Sequence, residues 1–298
     1  MGRDWASFFS ADQYEMFVDL VERYFQDRGL PALVGDGVVS APMGQGREHM
    51  QLGLLNLAQV CHAADRSQWP RLVEAHFQLV DTLAGQRTAF EPVAGLEQVR
   101  DQLAVRIWPE EILGSLRSEN LIWREDIPGT VSALVLDMPT SVRTIKPEEA
   151  NGWDKGIDEL FSLALENVYR KYPPDISQHE INGAGMVLLT GESFFIASHA
   201  LLLDRYSQCL GPHGAIVGLP HRHVVLCHPI RDGGVVPALN SMMPAVIGME
   251  KEGPGSITPS LYWYHDRQFV NLPFETGQDQ IRFMPPEEFV DVLRELTG

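Results

Sequence analysis

The chemical feature that stands out in the sequence is a pair of histidines one residue apart, His221 and His223, on either side of Arg222. On a β-strand, alternate residues share a face, so both imidazoles would project to the same side. Two such imidazoles can hold a divalent metal such as zinc, provided that one or two more ligands approach. Candidates for those ligands are His199, His213, His265 and Glu192.

Three interpretations of this corner stay open at the level of sequence. The histidines can ligate a metal, with Arg222 binding an anionic group of the substrate, which would make the protein a metal-dependent hydrolase. They can act as general acid–base groups. They can also be polar residues at the start of a strand, solvated or hydrogen-bonded to the backbone. His221, Arg222 and His223 are the candidate site in every case.

Other motifs are incomplete. The stretch Gly191-Glu-Ser193-Phe-Phe195 has phenylalanine where the nucleophile elbow of serine hydrolases has its second glycine. His179-Glu180 is not followed by the second histidine of a zinc-binding helix, and Gly44-Gln-Gly46 does not continue into a dinucleotide or phosphate loop. We therefore predict no cofactor, or a divalent metal such as zinc if the metal-dependent hydrolase alternative holds. The absence of a complete catalytic motif favours a non-catalytic binding or interaction protein.

Charge and cysteine content exclude several classes of partner and suggest a compartment. The chain carries 23 Lys and Arg against 40 Asp and Glu, for a formal net charge of −17. Such a charge repels phosphate backbones and anionic lipid heads, so neither nucleic acid nor membrane is an expected partner, whereas a protein partner is permitted. No apolar run approaches ~18 residues. Three widely spaced cysteines and no signal peptide predict a soluble, cytoplasmic protein with reduced thiols.

The N-terminal third is predicted to be rich in helix. Ser10 and Gln13 form a capping-box pattern before apolar residues at helical spacing. An extended segment or hairpin is expected at 33–41, followed by a helical hairpin over 48–64 and 67–84.

From about residue 98 the apolar period changes to that of strands. Alternation predicts an antiparallel meander, and later an aromatic strand, Tyr262-Trp263-Tyr264, whose outer face would contact a partner if it is left uncovered. Helices are expected at about 154–172, 234–250 and 286–296. The predicted class is α+β: a helix-rich part, 1–95, followed by a mixed, mainly antiparallel sheet with flanking helices, 96–298, as two domains or one continuous domain.

Four segments, in order, resemble the YtpQ-like family of uncharacterised bacterial proteins, a domain of unknown function, over roughly residues 50–280. They are Leu52–Leu57, Leu121–Ile127 with Ala133–Arg143, Asp158–Val168, and Phe194–Asp204 with Gly214–His223. In that family the last corner tends to read Pro-x-Arg-Asp; this chain has Pro220 and Arg222 but ends in His223. The resemblance implies an α+β fold and a cytosolic location and leaves the activity open.

Overall fold

The computed structural model describes residues 4–35, 37–43, 48–86, 95–116, 118–138, 141–181, 183–276 and 281–298. The helices are α1 Ala11–Gln26, α2 Leu55–His62, α3 Trp69–Gln86, α4 Leu96–Val99, α5 Ile112–Leu116, α6 Pro147–Ala150, α7 Ile157–Lys171, α8 Val235–Glu252 and α9 Glu287–Thr297. The strands are β1 Leu33–Gly35, β2 Val38–Met43, β3 Glu48–Gly53, β4 Leu103–Pro109, β5 Trp123–Arg124, β6 Thr130–Met138, β7 Ser141–Thr144, β8 Asp175–Ile181, β9 Ala184–Thr190, β10 Ala215–Gly218, β11 Val224–Pro229, β12 Leu261–His265, β13 Gln268–Leu272, β14 Phe274–Thr276 and β15 Ile281–Phe283.

The chain divides into two compact units, 1–93 with 251–255, and 94–250 with 256–298. The first unit has an aromatic core to which α1, α2, α3 and β2 contribute, with Phe17, Phe25, Trp69 and Phe77 fully buried. Helix α1 begins as predicted, because the Ser10 side chain accepts from the backbone N–H of Gln13 and the Gln13 side chain accepts from that of Ser10.

One element of the first unit differs from its prediction. The helix expected over 48–64 is instead a strand followed by a shorter helix, β3 and α2. Strand β3 pairs antiparallel with β2, placing Leu52 opposite the buried Val39, so tertiary pairing overrides the local helical spacing. Gly44-Gln-Gly46, the incomplete glycine motif, lies outside the described residues.

The second unit confirms the α+β class. Its largest sheet has six antiparallel strands in the order β13-β12-β10-β11-β9-β8. Strands β4, β5, β6 and β7 form an antiparallel sheet as predicted, but the predicted meander order is wrong: β4, β5 and β7 all pair with β6, and β4 does not pair with β5. Helices α8 and α9 cover one face of the six-stranded sheet, where Met242, Trp263 and Phe289 are buried in one cluster. In the described residues, no helix combines the length and the apolarity needed to cross a membrane.

The segment after β9 positions the candidate site. It runs from Gly191 through a 3-10 helix, Ile196–Arg205, to Tyr206. The hydroxyl of Ser198 donates to the carbonyl of Val105 on β4 at 2.7 Å, which fixes this segment against the four-stranded sheet. The same segment also contacts β11 of the six-stranded sheet. It therefore brings β4 and the β10–β11 connection to one place.

Candidate functional site

The predicted corner is a turn between β10 and β11 and not the start of a strand. Strand β11 begins at Val224, and the backbone N–H of Val224 donates to the carbonyl of His221 at 3.2 Å, closing the turn. Two backbone N–H groups of the 191–206 segment hold this turn. The N–H of Gly191 donates to the backbone carbonyl of His223 at 3.3 Å, and the N–H of Ala197 donates to that of Arg222 at 3.1 Å. The prediction that His221 and His223 share one face of a strand is therefore wrong, because both lie before its first residue.

Both ring nitrogens of His223 already have partners. The Nε of Arg222, which can only donate, lies 2.9 Å from Nε2 of His223. That contact places the ring hydrogen on Nδ1, which donates to the carbonyl of Gly191 at 3.0 Å. His223 is thus a neutral imidazole that orients the Arg222 side chain, and no lone pair of its ring is left for a metal.

His221 is held in the opposite tautomer. Its Nδ1 accepts from the backbone N–H of His223 at 3.3 Å, so the hydrogen of the neutral ring lies on Nε2. The two ring centroids are 6.2 Å apart. Burial, followed by the neighbouring His223 and Arg222, lowers the pKa of His221 to about 4. Near neutral pH this imidazole is therefore an uncharged hydrogen-bond donor.

A second arginine joins the corner from β4. The Cζ of Arg222 lies over the Phe194 ring, 4.4 Å from its centroid, and the Cζ of Arg106 lies 5.6 Å from the same centroid. Arg106 also lies over Trp108, at 5.0 Å. We call Arg106, Phe194, His221, Arg222 and His223 together the basic corner.

Within the described residues, neither guanidinium of the basic corner forms an ion pair with a carboxylate. The Nε of Arg106 is buried without any hydrogen-bond partner there. No hydrogen bond of the terminal nitrogens of Arg106 or Arg222 is found among the described residues, and both side chains are half-buried. Two like charges placed close together without a counter-charge destabilise the folded protein, so their presence is explained if a ligand supplies the counter-charge.

The electrostatics of the corner reflect this arrangement. Burial and the charge of Arg222 lower the pKa of Arg106 to about 10, and burial lowers that of Arg222. Burial and Arg222 also lower the pKa of His223, opposed by its bond to Gly191 and by the charge of Glu192. Both arginines stay charged at neutral pH while both histidines are neutral. The corner can therefore attract an anion through two permanent charges.

The additional ligands proposed for a metal do not gather at the corner. His199 is fully buried and bonded through both ring nitrogens, to the carbonyl of Tyr172 at 2.7 Å and the hydroxyl of Tyr206 at 2.6 Å. His213 and His265 line another cavity of about 660 Å³, and Glu192 is exposed. Among the described residues, no three His, Cys, Asp or Glu side chains are grouped to hold a metal. The metal hypothesis gains no support from this donor set.

Residues near the corner in sequence are placed elsewhere or have local roles. His228 lines a cavity of about 480 Å³ and bonds through Nδ1 to the carbonyl of Gly185 at 2.7 Å. The hydroxyl of Ser193 accepts from the backbone N–H of Phe195 at 3.2 Å, which is a turn contact and not a nucleophile arrangement. The aromatic strand is buried at Tyr262, Trp263 and Tyr264, so it offers no uncovered face.

Sequence reasoning missed Arg106 and Phe194. The available signal was an arginine inside the otherwise apolar strand Leu103–Trp108, since a charge in such a strand needs a partner or a function. Its neighbour Arg222 comes from the turn between β10 and β11 of another sheet, so the pairing depends on tertiary structure.

Comparison of the chain with protein-family models, with curated proteins and with solved structures found no match. The interpretation of the site therefore depends on its own geometry.

Proposed function

We propose that this chain is a non-catalytic binding protein that recognises an anionic group at the basic corner. The observation that carries the proposal is the unpaired couple of Arg106 and Arg222, two guanidiniums on one phenyl ring with no carboxylate partner in the described part of the chain. A bound anion supplies the missing counter-charge through charge-assisted hydrogen bonds. The proposal includes a cytoplasmic location and the resemblance to YtpQ-like proteins, which rests on the four segments quoted above.

The ligand proposed is a small molecule. With a net charge of −17, the protein as a whole repels a polyanion, while a local pair of guanidiniums still attracts a single anionic group. Nothing in the corner supplies an activated nucleophile or a free general base, because the ring nitrogens of His223 are both engaged. Binding without turnover is the activity that this set of side chains supports best.

The proposal is tested by calorimetric titration of the purified protein with acetate, sulfate and inorganic phosphate at constant ionic strength. We expect at least one anion to bind wild type and to raise its Tm, with both effects lost in Arg222→Gln. Arg294→Gln is the matched control, since Arg294 is an exposed arginine paired with Asp291. Absence of binding to wild type, or undiminished binding by Arg222→Gln, would overturn the proposal.

A further inference from the structure

The hydrogen-bonding groups that the basic corner offers to a ligand are all donors. They are the terminal N–H groups of Arg106 and Arg222 and the Nε2–H of His221. The two ring acceptors of the corner are already taken: Nε2 of His223 by Arg222, and Nδ1 of His221 by the backbone N–H of His223. A hydroxyl hydrogen on the ligand would therefore point at another hydrogen-bond donor and form no bond. A fully deprotonated group, which only accepts, can bond to every one of these donors.

The two positive charges of the corner determine the charge of the ligand that neutralises them. A monoanion such as a carboxylate neutralises one guanidinium and leaves the other uncompensated in a half-buried position. A dianion neutralises both, and a tetrahedral oxyanion has oxygens enough for two guanidiniums and an imidazole. Both guanidiniums lie near the Phe194 ring, with the Cζ of Arg222 at 4.4 Å and that of Arg106 at 5.6 Å from its centroid, and the charge of Arg222 acts on Arg106.

We infer that the basic corner binds a tetrahedral dianion of the phosphomonoester or sulfate type, held between Arg106 and Arg222 with His221 as a third donor. This inference rests on the proposed function and narrows its ligand. The titratable and charged groups around the bound anion are Arg106, Arg222, His221, His223 and Glu192. The exposed carboxylate of Glu192 repels a negatively charged ligand, so a ligand with two negative charges is favoured over one with three or more.

The first experiment compares acetate, sulfate and phenyl phosphate by calorimetry at pH 7.5 and constant ionic strength. We expect sulfate or phenyl phosphate to bind at least tenfold more tightly than acetate. Arg106→Gln and Arg222→Gln should each weaken the dianion at least tenfold, and His221→Phe about fivefold, while Arg294→Gln changes nothing. A tenfold preference for one dianion identifies its source as phosphate ester or sulfate; equal binding supports the shared chemistry.

The protonation state of the ligand gives a second, independent readout. A phosphomonoester with a second pKa near 6 becomes mostly dianionic between pH 5.5 and 7.5, so its affinity should rise about fourfold over that interval. Sulfate keeps its charge over the same interval, so its affinity should stay constant. A phosphomonoester affinity that falls or stays level as pH rises would overturn the dianion inference.

Chemical modification tests the corner in the wild-type protein, without a substitution. Phenylglyoxal reacts with arginine, and mapping by mass spectrometry should show Arg106 and Arg222 protected by sulfate or phenyl phosphate and not by acetate. Arg294 is the internal control. Acetate that binds and protects as well as the dianions would overturn the inference while the proposed function stands. No binding and no protection by any anion would overturn both.

Discussion

The segment 191–206 joins two polar clusters that differ in whether their charged groups have partners. At its far end, Asp204 accepts from the hydroxyl of Tyr264 at 2.9 Å and pairs with the Nε of Arg267 at 2.7 Å. We call Asp204, Tyr264 and Arg267, together with the His199–Tyr206 pair, the paired end. Each of these side chains has a hydrogen-bond or ion-pair partner within the protein, so the paired end stabilises the fold without a ligand.

At the near end, the basic corner brings Arg106 and Arg222 together with no carboxylate between them in the described residues. The same protein therefore satisfies one cluster internally and leaves the other dependent on an external group. Both ends contain arginine, so the presence or absence of a counter-charge, and not the arginine itself, distinguishes the candidate binding site from a structural cluster. Substitutions at the two ends should accordingly have effects of opposite sign.

The largest effect is expected at His199. The pKa of this buried imidazole is lowered to about 4 by burial, against an ordinary value of 6.5. Because the unfolded chain takes up the proton first, the stability from His199 is complete above pH 6.5 and is lost as pH falls toward 4, by about 3 kcal/mol at most.

His199→Phe should lower the free energy of unfolding by about 2–3 kcal/mol at pH 7, since Tyr206 and the Tyr172 carbonyl lose their partner. It should also flatten the decline between pH 6.5 and 4, measured by urea unfolding across that range. His179→Gln removes an exposed imidazole and serves as the control. An unchanged pH slope in His199→Phe would place the acid sensitivity elsewhere, for example at His221.

Asp204→Ala should have the second largest effect. It removes the acceptor shared by Tyr264 and Arg267, and we expect a loss of about 1–2 kcal/mol because the Asp204 side chain is partly exposed. Urea unfolding at pH 7.5 measures the change, and Asp204→Asn, which keeps the shape, should lose less. A loss below 0.3 kcal/mol, about the error of the method, would mean that the paired end is not stabilised by its pairing.

Arg106→Met should act in the opposite direction in the absence of a ligand. It removes a charge repelled by Arg222 and a buried Nε without a partner, while keeping an apolar stem beside Trp108. We expect stability to be unchanged or raised by about 0.5–1 kcal/mol in anion-poor buffer, with anion binding lost. Arg267→Met is the matched control at the paired end and should destabilise. A loss above 1 kcal/mol in Arg106→Met would contradict the contrast.

Local elements of the fold were predictable from sequence because their signals are local. Helix α7 shows apolar residues at helical spacing, and its N-terminal Gly156 backbone is bound by Glu159, three residues later. The β12–β13 hairpin follows from two alternating runs around Asp266 and Arg267. Strand β8 was not predictable, because nearly all of its side chains are exposed and show no alternation.

The corner was half predictable. Arg222 and its flanking histidines stand out in the sequence, but their role depends on two contacts from elsewhere. The Gly191 carbonyl decides the tautomer of His223, and Arg106 supplies the second charge from a different sheet. The residue types in the sequence therefore indicated where the candidate site lies. Strand register and turn geometry determined which chemistry that site supports.

The smallest effect is expected at an ion pair that resembles the paired end only in geometry. Arg205 contacts Glu166 at 2.7 Å, as close as Arg267 to Asp204, and its two side chains are about half exposed, but Glu166 does not accept from a buried hydroxyl as Asp204 does from Tyr264. Glu166→Gln should cost no more than about 0.5 kcal/mol, because solvent screens the pair and ordering two long side chains offsets the attraction. Urea unfolding in 0.05 and 0.5 M NaCl measures the change, which should shrink further in high salt. A cost equal to that of Asp204→Ala would show that the distance within the ion pair alone, and not the additional hydrogen bond from the buried Tyr264 hydroxyl, sets the stability of the paired end.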